Sequence, residues 1–382
     1  MGQKLHRSSR TVFRRRNPIW RILLTVVPAI AIVALGFFGA KLLWEAPQDS
    51  AEPVTGQTAS TTDAPTQTTT TTQPENTAAM DDLRAFYLPH SALTNQTALT
   101  ATLQQAKEAG FTAVLFDMKD ASGTLYFRAS GEQAVRVGSY AADALDSNAL
   151  RAAFTAIRDA GLSPIPRLYA FCDNAAARVL TDARVYPAGN PTWVWYDNKP
   201  DAGGRAWLNP YADAASLYLI ELAKELRDAG AAAIMFDGVQ FPAQTSGAYF
   251  GEDAATETRA DALTAFISAA EQLLGDICPV ILAHSADSAL GNKTQVYGGN
   301  PLTFGAAFAA PLFSGSADEA AIKQMATRIK VIEQTAQPTL APILPYTDAA
   351  AAQQSIRTCA DQQVTSYILY AADGQYDFAA LK

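Results

Sequence analysis

Short apolar runs alternate with helical stretches from residue 81 onward, and this alternation constrains the fold of the 382-residue chain more than any other feature. Runs of four to seven residues with few charges are typical of buried strands, and helical stretches separate most of them. Eight strands that alternate with helices over about 300 residues are typical of a (β/α)8 TIM barrel. The predicted strands are 85–88, 113–116, 165–171, 232–236, 280–283, 308–313, 340–344 and 367–370, and the predicted helices are 97–109, 147–160, 211–229, 255–275, 317–335 and 349–362.

One unit of this pattern occurs twice in nearly the same form. KEAG precedes TAVLFDMKD and RDAG precedes AAIMFDGVQFP, so that Gly110 and Gly230 stand seven residues before Asp117 and Asp237. A Gly at the end of a helix, a short apolar strand and then an acid form one β/α unit. Because the carboxyl ends of barrel strands form the active face, we expect both acids at the same mouth.

A doubly wound open sheet is the alternative fold. The sequence gives it little support, since no G-x-G-x-x-G follows the first strand and no G-x-x-x-x-G-K-[ST] occurs. The connection 285–307 is the one segment between strands that shows no clear helical pattern.

The N-terminal part of the chain predicts a membrane anchor. Residues 1–50 carry a net charge of +6, and an uncharged apolar segment runs from Ile22 to Ala40. About 20 such residues span the hydrocarbon core of a bilayer, and the basic residues before them favour a cytoplasmic N-terminus. We therefore predict a basic cytoplasmic head at 1–21 and a transmembrane anchor at 22–44, with the rest of the chain outside the cytoplasm. A cleaved signal peptide is the alternative.

A Thr-rich segment follows the predicted anchor. Residues 45–80 contain TTTTT and almost no large apolar side chains, so they cannot bury enough surface to fold. This predicts a disordered linker that tethers a barrel domain at 81–382 to the membrane. Residues 51–382 carry a net charge of −14, which argues against nucleic acid as a partner.

Polar and aromatic side chains accumulate at the predicted mouth of the barrel. The loop 172–210 contains Trp193, Trp195 and Trp207, and acids follow several strands. Sugar rings pack on aromatic side chains while their hydroxyls bond to acids and amides. The mouth therefore predicts a groove for a polysaccharide or oligosaccharide.

These residues resemble a bacterial family of proposed glycoside hydrolases with a barrel of the α-amylase type. The matching segments lie between residues 84 and 242, and residues 243–382 match more loosely. The chain departs from the family at Gly238 and Gln240, where members have Tyr and Arg, and at Tyr370–Ala371, where they have Trp-Asn. The segments that carry the resemblance are FYLP, LFDMKDASGTLYF, IPRLYAFCD, WVWYDNKPDAGGRAWLNPY and AKELRDAGAAAIMFDGVQFP.

The resemblance implies a glycoside hydrolase or transglycosidase that acts on a cell-envelope or extracellular polysaccharide. It implies that Asp237 is the nucleophile, that Asp117 and Asp120 take part in catalysis or orient substrate, and that Lys119 holds one of them ionised. An ordinary turn-capping role is the alternative for Asp237, and a plain surface ion pair is the alternative for Lys119. Seven residues are expected to bind substrate: Lys119, Arg167, Trp193, Trp207, Asn209, Gln240 and His284.

The second catalytic acid stays open, since no Glu follows the fifth strand and Asp287, Glu252 and Asp120 are all candidates. With only three histidines and no G-x-S-x-G, we expect neither a metal nor a cofactor nor a serine hydrolase. The alternative function is a non-catalytic carbohydrate-binding or envelope-assembly protein on a degenerate barrel.

Overall fold

In the computed structural model of the protein, residues 80, 82–275, 277–332 and 337–382 can be described. The predicted basic head and membrane anchor, and all of the predicted linker except Met80, lie outside the described residues. Among the residues that are described, no helix is long and apolar enough to cross a membrane.

Eight parallel strands close into a barrel, which confirms the predicted fold. Each strand pairs with the strand before and after it in the chain, and the eighth pairs with the first. The strands are β1 (Arg84–Leu88), β2 (Ala113–Lys119), β3 (Ser163–Tyr169), β4 (Ile234–Asp237), β5 (Val280–Ser285), β6 (Phe308–Leu312), β7 (Ile343–Pro345) and β8 (Tyr367–Tyr370).

Helices follow six of the strands and cover the outside of the barrel. They are α1 (Gln96–Glu108), α2 (Ser147–Asp159), α3 (Asp213–Ala229), α4 (Arg259–Leu274), α5 (Glu319–Lys330) and α6 (Ala349–Asp361). After β5 the chain forms only a short helix, Ala286–Ala289, and 3₁₀ turns, in agreement with the missing helical pattern there. Gly230 ends α3 with φ of +110°, a conformation that a residue with a Cβ rarely adopts.

The core has two layers because successive strand residues face opposite sides of the sheet. The inward layer combines small and large side chains, among them Ala85, Ala113, Leu115, Ile165 and Met235. The outward layer packs against the helices and contains the larger share of the buried Leu and Phe side chains. The inward layer fills the lower part of the barrel, so the polar residues of the strands collect at the mouth.

Two additions to the barrel were not predicted. Strands Leu125–Phe127 and Tyr140–Leu145 extend the sheet beyond the end of β2. Tyr186–Pro187 pairs with Ala248–Tyr249, which joins the loop after β3 to the loop after β4. Both additions belong to the segments that follow the carboxyl ends of β2, β3 and β4.

Candidate active site

The polar mouth of the barrel is built by the inward-facing positions at the ends of the strands. On β2, β3 and β4 the inward series continues from Leu115, Ile165 and Met235 to Asp117, Arg167 and Asp237. Strand alternation alone therefore brings these three side chains to one place. The predicted juxtaposition of Asp117, Arg167 and Asp237 is present.

Arg167 lies between the two acids and pairs with both. Its Nε is 2.6 Å from Oδ1 of Asp117, and its Nη1 is 3.6 Å from Oδ2 of Asp237. The side chains of Arg167, Asp117 and Asp237 are 16%, 20% and 26% exposed, so substrate can reach all three. Because both oxygens contact one guanidinium, they lie at most about 9 Å apart. This limit is compatible with a pair of catalytic carboxylates.

Two tyrosines support this cluster from β1 and β8. The hydroxyl of Tyr87 donates to Oδ2 of Asp117 at 2.8 Å, and its ring packs on that of Tyr370 with centroids 4.6 Å apart. The guanidinium carbon of Arg167 lies 5.3 Å and 5.4 Å from the centroids of these two rings. Burial alone would lower the pKa of Arg167, but Asp117 and Asp237 outweigh it and raise that pKa, so the guanidinium stays charged.

The two acids differ in their surroundings. Burial raises the pKa of Asp237, and the charge of Asp117 adds to this, against the opposing effects of Arg167 and of the Gly238 N–H. Asp117 instead accepts two short hydrogen bonds, one from Arg167 and one from Tyr87. Hydrogen bonds of this kind stabilise a carboxylate, whereas burial favours a neutral carboxyl group. The surroundings of Asp237 therefore favour its neutral, proton-bearing form.

Two residues of β3, Tyr169 and Arg167, lie beside the positions Gly238 and Asp237, where the chain departs from the family or lacks its neighbouring Arg. Gly238 has φ of +64°, and a Cβ at this position would overlap the ring of Tyr169. Gln240 carries no charge, but Arg167 places a guanidinium beside Asp237 from the neighbouring strand. The loss of an Arg at position 240 therefore does not leave Asp237 without a cation.

A further tyrosine lies close to Asp237 and was missed by the sequence reasoning. Burial raises the pKa of Tyr297 to about 12, and the nearby charge of Asp237 contributes to the increase. The same charge also raises the pKa of Tyr169, after burial. Tyr297 belongs to the segment 285–307, which offered no periodic pattern from which to place it.

The prediction that Lys119 binds substrate or holds a catalytic acid ionised is wrong. Lys119 and Asp173 are both completely buried, with Nζ 2.9 Å from Oδ2, and Nζ also donates to the carbonyl oxygen of Tyr169 at 2.6 Å. Asp173 accepts the backbone N–H of Ala176 at 2.7 Å, and a Cβ on Gly123 would overlap its Oδ1. The Lys and Gly of the D-x-K-D-x-x-G segment thus join the end of β2 to the loop after β3.

The carboxylate of Asp120, the remaining predicted catalytic acid, is hydrogen-bonded within the turn that follows β2. Its Oδ1 accepts hydrogen bonds from the backbone of Ser122 and Thr124, and its Oδ2 accepts one from Tyr126. Burial opposes the ionised form, but these hydrogen bonds outweigh it and lower the pKa of Asp120. An acid that is held ionised in this way cannot act as a proton donor at neutral pH. Of the other two candidates, Asp287 pairs with Lys293 on the surface, and Glu252 is exposed.

The loop 172–210 exposes only one of its tryptophans fully. Trp193 is 66% exposed, whereas Trp207 is buried and donates its Nε1–H to Asp197 at 2.9 Å. Asn209 is also buried and donates to the carbonyl of Phe250 at 2.9 Å. The predictions that Trp207 and Asn209 contact substrate are therefore wrong, because both side chains hold the loop together. The binding of substrate by Trp193 and by the partly exposed Gln240 stays a prediction.

His284 is also unavailable to substrate, contrary to the prediction. Its side chain follows the outward face of β5, the residue is only 3% exposed, and Nδ1 lies 3.1 Å from the carbonyl oxygen of Ser285. Burial lowers the pKa of His284 to about 4, so the imidazole is neutral near pH 7. Its presence directly after an apolar strand suggested the mouth, but strand alternation directs it the other way.

Potential metal ligands do not cluster in the described part of the chain. No group of three or more His, Cys, Asp or Glu side chains is arranged there so that it could hold a metal ion. The site offers two carboxylates, one guanidinium and several phenols, and this set suits proton transfer and carbohydrate binding.

Comparison with known proteins gives the family of the chain. The model of the family described as "Putative glycosyl hydrolase domain" matches residues 85–287, just over half of the sequence. The chain belongs to this family, which confirms the resemblance seen in its motifs and the expected enzyme class, a glycoside hydrolase. No curated protein matches the sequence significantly.

Solved structures share the fold at low sequence identity. The glycoside hydrolase domain of PgaB (BpsB) from Bordetella bronchiseptica is 14% identical with a TM-score of 0.55, over 77% of this chain and 95% of that one. The chitobiase of Flavobacterium johnsoniae is 9% identical with a TM-score of 0.50, over 78% of this chain and 47% of that one. A β-N-acetylhexosaminidase is 10% identical with a TM-score of 0.50, over 78% and 70% of the two chains. At such identities the likeness establishes the barrel fold alone.

Proposed function

We propose that the protein is a membrane-anchored, extracytoplasmic glycoside hydrolase or transglycosidase that acts on a cell-envelope or extracellular polysaccharide. The observation that carries this proposal is the placement of Asp117 and Asp237 on either side of Arg167 at the mouth of the barrel. Family membership supports the enzyme class. Membrane attachment rests on the apolar segment from Ile22 to Ala40 and on the basic residues before it.

In the proposed mechanism Asp237 is the general acid and Asp117 is the ionised carboxylate. Asp237 protonates the oxygen of the scissile glycosidic bond, a role that its burial and raised pKa favour. Asp117 either attacks the anomeric carbon as the glycosidic bond breaks, or activates the water that attacks it. In the first case a water or acceptor hydroxyl, deprotonated by Asp237, then cleaves the glycosyl ester and frees Asp117. Tyr87 and Arg167 hold Asp117 in position. This assignment differs from the nucleophile role that the family resemblance implies for Asp237.

Arg167 has two functions in this scheme. It contacts both Asp117 and Asp237 and so keeps them close together, and it contributes positive charge beside Asp237, which becomes ionised when it donates its proton. It also lies beside the paired aromatic rings of Tyr87 and Tyr370, which provide cation–π contacts.

The test is the release of new reducing ends from cell-wall glycans, extracellular polysaccharides and α-glucans by the purified full-length chain. Asp237→Asn and Asp117→Asn keep the shape of each side chain and remove its charge, so each should lower turnover by about 10³-fold or more while glycan binding is kept. Asp361→Asn, a change of the same kind at the far end of α6, should leave turnover unchanged. If the wild type releases no reducing ends from any glycan that it binds, the hydrolase proposal fails.

A non-catalytic carbohydrate-binding role is the second candidate, and one observation favours it. Both oxygens of Asp237 already have partners, since Oδ1 accepts the N–H of Gly238 at 2.7 Å and Oδ2 faces Arg167. A binding protein would retain most of its glycan affinity in the Asp237→Asn variant, with a change of about 1–3 kcal/mol, and would have no turnover to lose.

Membrane attachment is tested separately. The full-length protein should remain in the membrane fraction, and a protease added from outside the cytoplasmic membrane should release the barrel by cutting within residues 45–80. An N-terminus of the mature protein near residue 45 would show instead that the apolar segment is a cleaved signal peptide.

A further inference from the structure

An open groove lies at the mouth of the barrel beside the catalytic cluster. It has a volume of about 800 Å³ and is formed by the segments that follow β7 and β8. One wall carries the ring of Tyr346, whose centroid is 4.9 Å from that of Tyr376 in the groove lining. The residues that line it are Tyr346, Thr347, Ala371, Ala372, Asp373, Gln375, Tyr376 and Asp377.

The groove is connected to the catalytic cluster through short hydrogen bonds. The hydroxyl of Tyr376 accepts the backbone N–H of Ala371 at 2.9 Å and donates to the backbone carbonyl of Tyr87 at 3.0 Å. Tyr87 is the residue whose phenol bonds to Asp117, and the residue before Ala371 is Tyr370, which packs on Tyr87. These bonds place the groove next to the residues that support the catalytic cluster, at the ends of β1 and β8.

The lining has the chemistry of a sugar site without positive charge. Tyr346 and Tyr376 are partly exposed, while Thr347, Asp373, Gln375 and Asp377 are exposed and offer hydroxyl, amide and carboxylate groups. Each carboxylate has one oxygen committed to the backbone, since Oδ1 of Asp373 accepts the N–H of Gln375 and Oδ1 of Asp377 accepts that of Ala380. Within the described residues, neither carboxylate belongs to an ion pair.

The negative charge beside a bound glycan comes from the groove. With Asp237 protonated as the general acid, or replaced by Asn, the charges of Asp117 and Arg167 offset each other, whereas Asp373 and Asp377 in the groove lining have no cation beside them there. A sugar carboxylate or phosphate that enters would meet carboxylates and find no unpaired guanidinium or ammonium in the lining. A neutral or amine-bearing sugar would meet hydrogen-bond acceptors and an aromatic ring.

We propose that this groove is a second sugar-binding subsite, with Tyr346 as its aromatic platform, and that it restricts the substrate to glycans without acidic substituents. The inference rests on the proposed hydrolase function, because it assigns the substrate class of that same site. It adds the residues after β7 and β8 to the substrate-binding surface. These residues follow the range 85–287 that matches the family.

The test measures binding without turnover, in the full-length chain that carries Asp237→Asn. Isothermal titration compares tetrasaccharides of N-acetylglucosamine, glucosamine and galacturonic acid, which are neutral, cationic and anionic. We expect the neutral and cationic tetramers to bind, and the anionic tetramer to bind at least about 10-fold more weakly, with a gap that narrows at high salt. Equal affinity for the anionic and neutral tetramers, or no binding of any tetramer, would overturn the inference.

Variants of the groove separate its two features. Tyr346→Ala should weaken binding of the neutral tetramer by about 3- to 10-fold, since it removes the platform. Asp373→Asn should leave the neutral tetramer nearly unaffected and improve the anionic one by about 2- to 5-fold. Asp361→Asn, the same charge change at the far end of α6, should alter neither. Unchanged binding in Tyr346→Ala would show that the glycan does not occupy the groove.

The two proposals fail in different measurements. If the wild type forms no reducing ends but the tetramers bind as expected, the hydrolase proposal fails and the subsite stands. If reducing ends form but Tyr346→Ala and Asp373→Asn have no effect on binding, the subsite fails and the hydrolase stands.

Discussion

The loss of either partner of the buried ion pair between Lys119 and Asp173 should greatly lower the free energy of unfolding. Both side chains are fully buried, and Nζ lies 2.9 Å from Oδ2. Lys119→Met keeps most of the side-chain volume but leaves the carboxylate of Asp173 buried without a cation. Removing one partner of such a pair typically costs about 3–5 kcal/mol, because the remaining charge is neither solvated nor paired.

The same structure indicates that removing both charges costs less. Asp173→Asn retains an oxygen that can accept the backbone N–H of Ala176, so the double variant Lys119→Met/Asp173→Asn keeps that bond without an isolated charge. We expect the double variant to be more stable than Lys119→Met alone by about 2 kcal/mol or more. Urea unfolding of the full-length chain, followed by near-UV circular dichroism, gives the free energies of unfolding.

A surface pair provides the matched control for this experiment. Lys224 and Asp228 are four residues apart on α3, 3.8 Å apart and about half exposed. Lys224→Met should change the free energy of unfolding by less than about 1 kcal/mol. If Lys119→Met costs no more than this control, or if the double variant is no more stable than Lys119→Met, the reasoning about the buried pair is refuted.

Three further predictions concern the site and its surroundings. Burial lowers the pKa of His284 to about 4 in the folded protein, below its value of about 6.5 in the unfolded chain. The neutral imidazole therefore contributes its full share of the free energy of unfolding above pH 6.5. Up to about 3 kcal/mol of that free energy is lost as the pH falls toward 4. His284→Gln should therefore flatten unfolding free energy against pH in this window, and equal slopes in both proteins would contradict it. Tyr87→Phe keeps the packing on Tyr370 but removes a donor to Asp117, so kcat should fall about 10- to 100-fold with little change in KM. An unchanged kcat would exclude a role for the phenol. Gly238→Ala should destabilise the fold by about 1–3 kcal/mol in urea unfolding, because φ is +64° and the new methyl group would overlap Tyr169. A variant as stable as the wild type would contradict this packing.

The barrel and the positions of its strands could be predicted from the sequence because they depend on local patterns. Apolar runs of strand length, amphipathic helices between them and Gly at helix ends are properties of neighbouring residues. The repeated Gly-to-Asp spacing placed Asp117 and Asp237 at strand ends, and parallel strands in a barrel bring such ends to one face. The pairing of Arg167 with Asp117 was not predicted, but its place at the same mouth was.

The partners of individual side chains depended on the tertiary structure. Asp117 and Lys119 are two residues apart, yet Asp117 enters the mouth while Lys119 pairs with Asp173 beneath the loop after β3, because the strand register shifts between them. His284 also follows a strand, but its position faces outward. Such differences arise from the direction of each side chain and from residues distant in the chain.

The sequence by itself determined the alternation of strands and helices, the family motifs of the first half of the domain and the two acids on which the proposed mechanism depends. Only the tertiary structure decided which of the other polar residues are available to a substrate. Asp120, Lys119, Trp207, Asn209 and His284 have the chemistry of site residues, but their hydrogen-bonding groups are engaged by backbone or side-chain partners or buried away from the mouth. Burial and partner choice are set by contacts between segments far apart in the chain, and no local pattern encodes those contacts.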